Sequence, residues 1–123
     1  MTKEAKNKLF VLSTLTGIRV CVLFFEQGQL VNDRIDLNYE FYNRFNINTK
    51  DFMAHINKYN VSEIMIAHNS REPSLQPKQI ELNSKQHYSK LLEKKGIKSR
   101  FFVVESNNLS GGTAVSKLNF QEY

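Results

Sequence analysis

The sequence predicts an α/β (α+β) domain built on a mixed sheet: an N-terminal antiparallel meander of three strands, then α-β-α-β, with the helices packed on the sheet. Three observations lead there. The first forty residues hold runs of Val, Ile, Leu and Phe punctuated by glycine-containing pairs. Two later segments, 49–60 and 78–95, carry apolar residues at helical spacing. Each of those segments is followed by a short apolar run of strand length, and a helix crossing between neighbouring strands makes at least the last two strands parallel.

The elements follow in order. Leu9 to Leu12, Ile18 to Phe25 and Gln29 to Leu37 are the three predicted strands, separated by Thr16-Gly17 and Gln27-Gly28. Arg19 and Cys21 alternate with Ile18, Val20 and Val22, whereas Leu23, Phe24 and Phe25 break the alternation, so this strand is central in its sheet. Residues 38–48 mix asparagines with aromatics and read as a loop. Thr49 is a credible N-cap with Asp51 in the first turn, and Phe52, Met53, Ile56 and Tyr59 mark about three turns of helix. Val61 to Ala67 is a short buried strand that delivers His68, Asn69 and Ser70 into a loop running to Pro77. A second helix starts at Pro77 or Lys78, turns Ile80, Ser84, His87, Tyr88, Leu91 and Leu92 inward, and stops at Gly96. Ile97 to Val104 is the next strand. The tail holds a Gly111-Gly112 turn and a short amphipathic piece, Thr113 to Phe120.

Composition limits the function classes. A chain of 123 residues is one domain, and 41% hydrophobic, 24% charged and 11% aromatic residues exclude a disordered or low-complexity chain. The strongest apolar stretch, Val20 to Phe25, is far shorter than the roughly 18 residues of a membrane span. The basic N-terminus runs into a segment broken by polar residues, a poor secretory signal, so a cytoplasmic protein without membrane contact is expected. Cys21 is the single cysteine, which excludes an internal disulfide and any multi-cysteine zinc site. The net charge of +5 is localised: Lys78 to Arg100 holds seven cations (Lys78, Lys85, Lys90, Lys94, Lys95, Lys98, Arg100) against Glu81 and Glu93, a surplus equal to that of the whole chain. Lys78, Lys85, Lys90, Lys94, Lys98 and Arg100 are therefore candidate contacts for nucleic acid or an acidic partner.

The stretch richest in chemistry is Ala67-His68-Asn69-Ser70-Arg71-Glu72-Pro73-Ser74-Leu75-Gln76-Pro77-Lys78-Gln79-Ile80-Glu81. A strand ending in Ala-His-Asn, a proline-containing loop and a helix opening with an acidic residue resemble the metal centre of RadC-like JAB/MPN domains. The resemblance implies that His68 is the first His of a His-x-His-Pro motif and that Glu81 stands for the Asp completing a zinc site. Glu26 is the best candidate for the upstream general base, with Glu40 second. In that family two imidazoles and a carboxylate leave a fourth tetrahedral position for a water that the metal acidifies. This chain departs from the pattern at Ser70, where the second His belongs, at Arg71 in place of Pro, and at Lys78 in place of a serine. The resemblance then implies a catalytically impaired JAB/MPN-like domain that binds protein or nucleic acid, in a DNA-maintenance or mobile-element setting. No cofactor is expected unless the zinc site is intact.

Two other readings stand beside it. Three strands followed by α-β-α-β-α is also the order of RNase H-like folds, but the first strand offers Ser13 and Thr14 where that class needs a carboxylate, and Glu105 alone is suitably placed, so this reading is an inactive RNase H-like domain that binds nucleic acid. The other reading is a small non-enzymatic inhibitor or adaptor, with Tyr39, Tyr42 and Phe45 as the protein contact. His55 and His87 read as packing residues. The spacing around Ser110-Gly111-Gly112-Thr113 lacks the lysine of a phosphate loop.

Overall fold

The computed structural model describes residues 1–15, 19–38, 49–70, 75–106 and 118–123, with 32–38 and 49 described by backbone alone. The elements are α1 (Lys3–Thr14), β1 (Arg19–Glu26), β2 (Gln29–Asn38), α2 (Thr49–Lys58), β3 (Glu63–Ser70), α3 (Gln79–Glu93), β4 (Lys98–Glu105) and β5 (Phe120–Glu122). The strands form one mixed sheet in the order β2-β1-β3-β4-β5. β1 is antiparallel to β2 and β3, β3 and β4 run parallel, and β5 returns antiparallel to β4.

The α/β class and the mixed sheet are as expected, but the first predicted strand is a helix. Leu9 to Leu12 lies inside α1, which the Thr2 hydroxyl caps by accepting the Ala5 N–H at 3.2 Å. Ala5, Leu9 and Leu12, at i, i+4 and i+7, are buried, while Phe10 and Val11 between them are exposed. Among the described residues the meander is thus a two-stranded hairpin preceded by a helix, and the first strand on which the RNase H-like alternative relied is helical. The hairpin turn is Gln27-Gly28, both with positive φ (50° and 81°), as a two-residue type I′ turn requires.

β1 separates two cores, which explains why it is apolar on both faces. Val20, Val22 and Phe24 pack with Ile64 and Ile66 of β3 and with Phe52, Tyr88 and Leu92 of α2 and α3. On the other face Cys21, Leu23 and Phe25 pack with Met65, Ala67, Phe102 and the buried stripe of α1. The result is three layers, α1 on one side of the sheet and α2 with α3 on the other. His55 stacks on Phe24 with ring centroids 5.1 Å apart, a packing role as expected.

Two further boundaries and the placement of one side chain differ from the sequence reading. β3 continues through His68, Asn69 and Ser70, which pair with Val103, Val104 and Glu105 of β4 instead of entering a loop. α3 begins at Gln79 with Lys78 as its N-cap, so Pro77 lies just outside. His87 is exposed and sets its ring edge-on to Tyr88 at 4.8 Å, because the buried stripe is Glu81, Ser84, Tyr88 and Leu92. Gly96, at φ 70°, closes α3 as expected, and the Ile97 N–H reaches back to the Leu92 carbonyl at 3.0 Å. Tyr39, Tyr42, Phe45, Glu40, Arg71 and the Gly111-Gly112 turn lie outside the described residues. No helix among the described residues is long and apolar enough to cross a membrane.

Candidate functional site

The end of β3 carries the candidate site, and the alternation of a strand decides which side chains can meet there. Ile64 and Ile66 belong to the core under α2 and α3. Two residues further, His68 continues that face. Its Nε2 lies 3.3 Å from Oε1 of Glu81 in the first turn of α3, with both side chains almost completely buried, at 2% and 3% exposure. The same Glu81 oxygen accepts the Lys78 backbone N–H at 2.8 Å, satisfying one of the donors that a helix N-terminus leaves open. Tyr123 packs edge-on to the imidazole, ring centroids 6.0 Å apart.

Asn69 points the opposite way, as alternation requires, and has a different task. Its Oδ1 accepts the Arg19 N–H at 2.6 Å and its Nδ2 donates to the Leu12 carbonyl at 3.3 Å, so a fully buried amide joins the end of α1 to the start of β1. The motif His68-Asn69-Ser70 is therefore split between the two faces of the sheet. Ser70, two residues beyond His68, shares its face.

This geometry brings His68 and Glu81 together, thirteen residues apart in sequence, and leaves Glu26 elsewhere. Val20 lies opposite His68 in the β1–β3 register, and Glu26 is six residues further along β1, about 20 Å away at the rise of a strand. There its Oε1 accepts the Asn60 N–H at 3.3 Å. The structure thus gives no support to Glu26 as the base of a site centred on His68.

A zinc tetrahedron with bonds of 2.0–2.1 Å has edges of about 3.4 Å, so His68 and Glu81 are spaced as two neighbouring ligands would be. Three protein ligands are the minimum for a catalytic zinc, and no group of three His, Cys, Asp or Glu side chains suited to a metal occurs among the described residues. With Ser70 as the third motif residue, the described side chains supply two of the three ligands that a catalytic zinc needs. As built, the pair sets a buried imidazole against a buried carboxylate between the end of β3 and the first turn of α3.

The basic segment is also redistributed. Arg100 donates to Glu122 through Nε (3.1 Å) and Nη2 (2.8 Å), and its Nη1 lies 3.7 Å from Glu63, so its charge is spent across β3, β4 and β5. Donating these hydrogen bonds to Glu122 raises the Arg100 pKa further above its ordinary value. Lys78, Lys85, Lys90, Lys94, Lys95 and Lys98 are exposed. The sequence offered no signal for the Glu122 and Glu63 partners or for Tyr123 beside His68, because each depends on strand order. The alternation of residues 68 to 70 was missed as well, because the sequence reading ended the strand at Ala67 and β3 runs on to Ser70. No protein-family model and no curated protein matches this chain.

Proposed function

We propose that this chain is a divergent RadC-like JAB/MPN domain whose metal centre has been reduced to the His68–Glu81 pair, and that it works as a binding module and not as a hydrolase. The supporting observation is the 3.3 Å approach of His68 and Glu81 at the junction of a strand end and a helix start, the junction where the family resemblance implies zinc ligands. Ser70 carries the second half of the proposal. It stands at the position of the missing imidazole, and a hydroxyl is a poor substitute for a zinc ligand.

The test rebuilds the motif. Protein purified without added metal is expected to hold far less than about one zinc per chain, and Ser70→His to acquire about one, with a rise in Tm that EDTA reverses. Stoichiometric zinc in the wild type, lost in His68→Ala, would overturn the binding-module half. A Ser70→His protein that folds but takes up no zinc would overturn the family reading.

A further inference from the structure

We propose that α3 is a groove-docking helix that binds B-form duplex DNA through its outer face, a conclusion independent of the His68–Glu81 site. At 100° per residue, the buried stripe Glu81, Ser84, Tyr88 and Leu92 defines the inner side of α3. Opposite it runs a crest of Gln79, Leu82 and Gln86, all exposed, with Leu82 at 42%. Lysines flank this crest on both sides. Lys78 and Lys85, seven residues apart, line one flank, and Lys90 and Lys94, four apart, line the other. Glu93, seven residues after Gln86 and on the same crest, is the exposed carboxylate of α3 and lies in its last turn, so the crest meets DNA through its N-terminal part, away from this anion.

The arrangement fits a major groove in shape and charge. A helix with its side chains is about 10–12 Å across and the B-form major groove about 12 Å wide, so lysines on the two flanks meet phosphates of the two strands while the crest faces base edges. Glutamine amides and an apolar Leu are suited to adenine edges and thymine methyls. A single-stranded ligand is disfavoured, since the helix's tyrosine, Tyr88, is buried at 4% exposure and no other aromatic ring of α3 but His87 stands outside to stack on bases. The structure also removes two residues from the sequence-level patch: Glu81 is buried, and Arg100 is held by Glu122.

Fluorescence anisotropy of the full chain with a labelled 20-base-pair duplex tests this. Four phosphate contacts give a slope of log K against log salt of about −3 to −4, on the order of a hundredfold loss between 50 and 200 mM salt. Lys85→Glu with Lys90→Glu, at unchanged Tm, is expected to lower affinity at least tenfold and flatten the slope by about 2, while Arg100→Ala leaves it unchanged. An A-form RNA duplex, whose major groove is too deep and narrow for a helix, is expected to bind at least about tenfold more weakly. Equal binding of duplex RNA, an unaffected double variant, an Arg100→Ala loss as large as that of the double variant, or displacement by polyglutamate as effective as by unlabelled DNA would each overturn the proposal.

Discussion

Among the described residues, two polar constellations tie secondary elements together, one at each end of the β3–β4 pair and on opposite faces of the sheet. His68 and Glu81 are buried beneath α3, whereas Arg100, Glu63 and Glu122 form a ladder across three strands with side chains 25% to 45% exposed. The contrast shows how burial changes the meaning of a charged pair. In the exposed ladder water competes with every contact, and screening leaves each pair worth little. In the buried pair neither group has water to fall back on, so removing one strands the other.

The sharpest way to break that contrast is Glu81→Ala. It removes the bond to the Lys78 N–H and leaves the His68 ring buried against a void, an expected loss of about 3 kcal/mol, or roughly 10 °C in Tm. Urea unfolding measures it, and a loss under about 1 kcal/mol would show that burial does not give this pair its weight. Next comes Asn69→Ala, expected to cost about 2 kcal/mol by exposing the Arg19 N–H and the Leu12 carbonyl to an apolar environment. Hydrogen exchange at Arg19 should accelerate in that variant, and unchanged exchange would count against Asn69 as the tie between α1 and β1.

The smallest effect belongs to the ladder. Hydrogen bonds from Arg100 hold the Glu122 carboxyl below its ordinary 4.5, opposed by desolvation and aided by the Arg100, Lys98 and Lys85 charges. A carboxylate lowered in the folded state contributes stability above its unfolded pKa, and the contribution disappears as pH falls through the folded value. Wild type should therefore exceed Glu122→Gln by less than about 1 kcal/mol at pH 7, with the gap closing below about pH 4.5 and shrinking in 1 M salt. The raised Arg100 loses its share of stability only at strongly alkaline pH, outside the range of the measurement. A gap that persists at pH 2 would mean that Glu122 acts by packing.

These differences explain what could be read from the chain. β1, β2 and β4 were visible within a residue or two because β-branched runs bounded by glycine have few alternatives, and Gly96 ended α3 where a positive φ was needed. Leu9-Phe10-Val11-Leu12 was misread because a four-residue apolar run suits either period. The deciding signals, Ala5 four residues upstream of Leu9 and Thr2 as a cap, lay outside the run. The pairing of His68 with Glu81 was legible only through the family resemblance, and the structure brings the two together because the first turn of α3 packs against the end of β3. Glu26 was not separable from that site by sequence, since only the antiparallel β1–β3 register sends it to the far end of the sheet.

The amide of Asn69 also fixes an order of events during synthesis. Its partners lie 50 and 57 residues earlier in the chain, at Arg19 and Leu12. The first helix and the hairpin can leave the ribosome and collapse on each other, but their junction has no partner until the middle strand has emerged and slid between β1 and the still unmade β4. The tie between α1 and β1 therefore closes only after β3, which follows both in the chain, has been made and docked.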